Sequence, residues 1–255
     1  MTKLLLFDLD GTLLRTDKTI SDRSLQALSR VREAGVLIGV VTSRSEQNCL
    51  DFLRMLVPDI LISSAGALVK FGKEHVFKAE FTSDEVNRII ELARLVDPKI
   101  EITVETLTEH FWNYTVDPLK WDPSWGGSTY TDYMDWKEPA LKVCLQFFEE
   151  KDAETFAENL PDVDMIRFTE SYWYKLTKKG ITKENAIRIA CRKAGIPLSE
   201  VTAFGDDLAD IGMLKLCGKG IAMGNAIDAV KEAADEVIGT NDADGIAIYL
   251  EGGLE

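Results

Sequence analysis

The sequence predicts an α/β protein, a doubly wound, Rossmann-like parallel-sheet core with an α+β domain inserted into it. Two observations predict the core: continuous apolar runs alternate with helical patterns in the first third of the chain, and the same style returns in the last third. A third predicts the insert, because the strands of the middle third alternate apolar and polar residues. Strands apolar on both faces suit a parallel sheet covered by helices on each side, whereas alternating strands suit an antiparallel sheet with one covered face. The expected boundaries put residues 1–81 and 181–255 in the core and residues 82–180 in the insert.

Taken in order, Leu4–Phe7 is a short apolar strand closed by an Asp10-Gly11 turn. Ser21 caps a helix with Leu25, Leu28 and Val31 on its inner face, and Gly35 ends it. Val36–Val41 is a second strand, followed by a helix from Glu46 to Leu56 and a third strand over Asp59–Ile62. In the middle, Ser83–Val96 and Asp152–Asn159 read as helices. Ile100–Thr106, parts of His110–Val116, Leu141–Phe147, Met165–Phe168 and Trp173–Leu176 read as strands. Pro118–Pro139 reads as a long loop holding Trp121, Trp125, Tyr130, Tyr133 and Trp136, aromatics that are hard to place in a core. The tail runs from a helix over Lys183–Ala194, stopped by Gly195, to a strand over Val201–Phe204 and a helix over Asp210–Leu216. It continues with a strand over Gly220–Met223, a helix over Ala226–Ala234 and a last short strand at Val237-Ile238.

Composition narrows the function. Of 255 residues, 29 are Lys or Arg and 43 are Asp or Glu, a net charge of −14, and no basic block offsets it. Such a surface repels phosphodiester backbones, so a nucleic-acid partner is not expected. No apolar run approaches a membrane span or a secretory leader, since Asp8 and Asp10 stop the first one; no membrane partner and a cytoplasmic location are expected. Cys49, Cys144, Cys191 and Cys217 are widely spread without a CxxC pair and read as buried free thiols. Two histidines, His75 and His110, are too few for a histidine-built zinc site.

The chemistry-bearing residues collect just beyond predicted strand ends, where open α/β sheets bind ligands. Asp8-Leu9-Asp10-Gly11-Thr12 follows the first strand. Two carboxylates so placed suit Mg²⁺ together with a substrate phosphate; an Asx-type turn is the plainer alternative. Gly205-Asp206-Asp207-Leu208-Ala209-Asp210 repeats the arrangement after Val201–Phe204, although taken alone acids favourably placed at a helix start are its plainer explanation. Thr42-Ser43-Arg44 follows the second strand and offers hydroxyl and N–H groups to a phosphate, or simply a helix cap. Lys183 opens a helix against the dipole, so its charge needs another reason to be there.

Together these four pieces, with Gly220-Ile221-Ala222-Met223-Gly224-Asn225-Ala226 and Asn241-Asp242-Ala243-Asp244-Gly245-Ile246-Ala247, resemble the haloacid dehalogenase-like (HAD) phosphohydrolases, Cof-type with a type IIB cap, over essentially the whole chain. The resemblance implies a Mg²⁺-dependent phosphomonoester hydrolase acting on small phosphorylated metabolites, sugar phosphates foremost, through an aspartyl phosphate. It makes Asp8 the nucleophile and Asp10 the acid/base. Thr42, Ser43 and Lys183 become phosphate-binding residues. Asp8, the backbone carbonyl of Asp10, Asp206 and Asp210 become the metal site, and the insert becomes a cap. The sequence departs from the pattern at Ser43, Ala65, Glu184 and Ala209, and Lys178 and Lys179 compete with Lys183 for the third-motif lysine. A sugar phosphomutase or phosphotransferase, and a binding module without turnover, are the alternatives.

Overall fold

Strand β1 (Leu4–Phe7) has every side chain buried, so it can stand only in the middle of a sheet with both faces covered. In the computed structural model, which describes residues 1–116, 124, 127–169 and 171–253, it does so. It pairs in parallel with β2 (Leu37–Val41) on one side and β12 (Val201–Gly205) on the other. The chain divides into two units, one of Met1–Ser43, Leu50–Phe77 and Thr182–Glu255, the other of Arg44–Cys49 and Lys78–Ile181.

The first unit is built on an eight-stranded sheet in the order β14-β13-β12-β1-β2-β3-β4-β5. Here β3 is Ile60–Ser63, β4 Leu68–Phe71, β5 Glu74–Lys78, β13 Lys219–Ala222 and β14 Glu236–Val237. The strands from β14 to β3 are parallel, and β4 turns antiparallel to β3. Leu4 and Leu6 share a core with Ala186, Ile187 and Ala190 of α5 (Lys183–Ala194) and Met213 and Leu214 of α6 (Ile211–Leu216). The opposite face meets other helices: Phe7 stacks on Phe204 at 4.6 Å, and Phe204 meets Tyr249 of α8 (Gly245–Glu251) edge-on. The core is therefore doubly wound, as expected. In α1 (Asp22–Glu33) Ser21 accepts the Ser24 N–H, but the buried stripe is Ser24, Ala27, Leu28 and Val31, with Leu25 only half-buried at its flank. The expected helix from Glu46 begins as a 3₁₀ turn over Gln47–Cys49 and becomes α-helical only in α2 (Leu50–Leu56). The β4–β5 hairpin and α8 were not expected.

The second unit holds a six-stranded sheet in the order β10-β11-β9-β6-β7-β8. These are β6 (Ile102–Glu105), β7 (His110–Trp112), β8 (Thr129–Tyr130), β9 (Lys142–Gln146), β10 (Val163–Arg167) and β11 (Trp173–Lys178). All pairs are antiparallel except β7 with β8. One face packs on α3 (Ser83–Val96) and α4 (Glu150–Glu158): Ile102, Val104, Val143, Leu145 and Leu176 meet Val86, Ile89, Ile90, Ala153 and Phe156. The other face carries Thr103, Glu105, Lys142 and Lys175, with a buried Lys142–Glu105 ion pair at 2.7 Å. Two aromatics of the predicted loop correct the reading, since Tyr133 and Trp136 lie in the apolar core, with ring centroids 5.5 Å apart and Trp136 4.9 Å from Phe111. Tyr130 is exposed, and Trp121 and Trp125 fall outside the described residues. Trp112 and Tyr114 are half-buried and cluster with Trp173 rather than with that core. All four cysteines are free and buried.

Candidate active site

The parallel register sets Phe7 beside Phe204 and Val40, so the residues that follow β1, β2 and β12 emerge at one edge of the sheet. Asp8 is the first residue past β1, and its N–H still donates to Phe204 O at 3.1 Å. Asp206 follows β12 directly, and Asp210 ends the 3₁₀ turn Leu208–Asp210 that leads into α6. Each of these three offers a carboxylate oxygen, and the three oxygens lie within 4.8 Å of one another.

Lys183, 5% exposed, stands among them with Nζ 2.7 Å from Asp8 Oδ1 and 2.7 Å from Asp210 Oδ1. This is the reason the helix-opening lysine needed. Lys178 instead pairs with Glu85, and Lys179 donates to Pro161 O. Asp210 Oδ2 accepts the N–H groups of Asp206 and Asp207, at 3.1 and 3.2 Å, which ties the two acids of the loop together. Thr12 Oγ1 donates to Asp206 Oδ1 at 2.6 Å. Gly11, at φ +77°, presses on Asp206 so closely that a Cβ would overlap the carboxylate. Asn225 Nδ2 holds the Gly11 carbonyl at 2.7 Å.

Burial without water pushes the Asp8 carboxyl well above its ordinary range; Lys183 pulls it back, while Asp210 and Asp206 add to the rise. Asp206 is pushed up to about 6, first by burial, with Thr12 opposing and Asp210 and Asp207 reinforcing. Lys183 is raised despite its burial, because Asp210 and Asp8 face it. Three carboxylates against one ammonium leave an excess of two negative charges in a largely dry site. An all-oxygen donor set with that excess fits a hard divalent cation.

The remaining predicted residues take other places. The Asp10 carboxylate is outside the three-acid cluster and pairs with Lys18, Nζ to Oδ1 at 2.8 Å. Thr42 is buried, its N–H donating to Ile62 O and its carbonyl accepting the Ala65 N–H, while Ser43 is half-buried. Ala65 is buried in left-handed backbone (φ +59°), where an asparagine would sit comfortably. Glu184 lies over Gly212, whose missing side chain makes the room. Ala209 is exposed. Sequence reasoning missed Lys18 and the roles of Thr12 and Asn225. Thr12 and Asn225 stood inside recognised motifs, whereas Lys18 carried no signal.

A family model described as haloacid dehalogenase-like hydrolase matches residues 5–250. The chain belongs to that family. Its relatives include the 5-amino-6-(5-phospho-D-ribitylamino)uracil phosphatase YcsE of Bacillus subtilis (strain 168), 30% identical over 253 residues, covering 96% of this chain and 93% of the relative. They also include the pyridoxal phosphate phosphatase YbhA of Escherichia coli (strain K12), 28% identical over 271 residues, covering 98% and 97%. Among solved structures, the HAD subclass IIB sugar phosphatase BT4131 superposes with a TM-score of 0.83 at 26% identity, covering 98% of each chain. This HAD hydrolase is thus a phosphatase, an enzyme acting on phosphorylated substrates. No helix among its described residues is long and apolar enough to cross a membrane.

Proposed function

We propose that this HAD hydrolase is a Mg²⁺-dependent phosphomonoesterase for small phosphorylated metabolites that works through an aspartyl phosphate on Asp8. The observation that carries the reading is the buried Asp8 carboxylate, gripped by Lys183 and grouped with Asp206 and Asp210 at the sheet edge. In the first half-reaction an Asp8 oxygen forms a bond to phosphorus, the bond from phosphorus to the ester oxygen breaks, and Asp10 gives its proton to the departing alcohol. In the second, water attacks the phosphorus, Asp10 takes a proton from it, and the Asp8–phosphorus bond breaks to release inorganic phosphate. Dividing one hydrolysis into two displacements lowers the barrier of each.

Lys183 offsets the charge of the attacking carboxylate and of the phosphoryl oxygens, and Thr42 and Ser43 supply hydroxyl donors to them. Asp8, Asp206 and Asp210, with the Asp10 carbonyl, would hold Mg²⁺. When bound, the cation screens the repulsion between carboxylate and phosphate. The inserted unit is the cap in this reading. Relatives named for ribitylaminouracil, pyridoxal and sugar phosphates support a hydroxylated or heterocyclic leaving group, with sugar phosphates first. Four free buried thiols agree with the reducing cytoplasm.

Beryllofluoride with Mg²⁺ tests the nucleophile. The expected result is an adduct on Asp8 seen by NMR, with turnover blocked; an adduct on another side chain, or none with metal present, overturns the reading.

A further inference from the structure

We infer that Lys18 is a positioning residue for Asp10, an inference that rests on the acid/base role proposed above. Lys18 Nζ lies 2.8 Å from Asp10 Oδ1, and the two side chains are 33% and 35% exposed. An ion pair this open to water adds little to stability. Its backbone nevertheless carries strain: Lys18 has φ +63°, a left-handed conformation that is unfavourable for any residue with a Cβ. Stability therefore does not account for the arrangement.

The surrounding turn is fixed from several sides. Arg15 N donates to Thr19 O and Lys18 N to Arg15 O, each at 2.9 Å, which closes it. Thr16 donates twice to Asp242, through N and through Oγ1, at 2.8 Å each. Arg15 Nη2 pairs with Asp244 Oδ1 at 2.6 Å, and Asp244 is itself left-handed at φ +56°. A left-handed lysine in the turn, braced through Arg15 by a left-handed aspartate from the far end of the chain, marks an over-determined segment, and such strain collects where chemistry needs a group in one place. Lys18 also borders a polar hollow of about 330 Å³, shared with Gly11, Arg15, Asn225, Asn241 and Asp242. With open space beside it, the side chain is kept on Asp10 by the ion pair rather than by packing. Holding Oδ1 restricts rotation of the carboxyl group that must meet first the ester oxygen and then the water.

The test is leaving-group dependence in the full chain with Mg²⁺. A nitrophenolate departs without a proton, whereas an alkoxide needs one, so misplacing the acid penalises alkyl esters selectively. The kcat ratio of the best alkyl ester among glucose 6-phosphate, ribose 5-phosphate and glycerol 3-phosphate to p-nitrophenyl phosphate is compared across wild type, Lys18→Met, Lys18→Arg and Asp10→Asn. Lys18→Met is expected to lower that ratio about tenfold, acting on kcat more than on KM, with Lys18→Arg restoring most of it and Asp10→Asn lowering it further. Equal loss on both esters, or no loss, overturns the inference while the Asp10→Asn effect leaves the acid/base role standing. If Asp10→Asn also leaves the ratio unchanged, or the wild type hydrolyses neither ester, the acid/base role falls and the inference with it.

Discussion

Asp8 stands where its own charge is unwelcome, buried and facing Asp210 and Asp206, with Lys183 as its principal compensation. Asp8→Asn should therefore abolish phosphate release, by at least about a thousandfold, as expected for loss of a nucleophile. The same substitution should leave the thermal midpoint of the metal-free protein at pH 7.5 unchanged or higher, followed by circular dichroism. Retained turnover would exclude Asp8 as the nucleophile. Gly11→Ala forces a Cβ into left-handed backbone and into the Asp206 carboxylate, so it should cost about 1–3 kcal/mol in urea unfolding and lower turnover as well. Asp8, Asp206, Asp210 and Lys183 were legible because each stands at the end of a strand or the start of a helix within a spaced motif. The Lys18–Asp10 pair was not, since the pairing depends on a left-handed turn that Asp242 and Asp244 hold from the far end of the chain.

Helix α5 shows how an element delivers a charge. Thr182 caps it by accepting the Asn185 N–H, Gly195 ends it in left-handed backbone, and Lys183 takes the first position, where the dipole alone would disfavour it. Gly66 abuts the Thr182 carbonyl, locking the loop after β3 against the start of α5. Thr182→Ala should cost about 1 kcal/mol, read as a lower urea midpoint at unchanged m-value, and should reduce turnover through a looser Lys183. An unchanged midpoint would mean the cap is dispensable. Long or fully apolar elements were legible: α3 and α5 have the bounds their helical pattern predicts, and β1 those of its apolar run. The β4–β5 hairpin and α8 were not. The hairpin strands mix Lys70, Lys78 and Glu74 with apolar residues, and α8 has seven residues and no side-chain cap.

At the scale of the molecule, the acid cluster ties stability to pH. In the metal-free protein the folded-state value for Asp206, about 6, lies above the ordinary 3.8, and Asp8 is raised as well. A raised carboxyl pKa gives a stabilising contribution that is complete below about 4 and is lost as pH climbs through about 6. A cation held by these carboxylates would need them ionised, so the proposed Mg²⁺ should raise the thermal midpoint more at pH 7.5 than at pH 5.0, with EDTA reversing the gain. Equal gains at both values, or none, would detach the cation from these carboxylates. The unit that carries the candidate site is also discontinuous, with Asp8 meeting Lys183 across 175 positions and Thr12 meeting Asp206 across 194. On a ribosome adding about 5–20 residues per second, the first strand waits roughly ten to forty seconds for β12. The residues of the inserted unit emerge during that delay, so the nascent chain can complete the middle sheet before Asp8 meets Lys183.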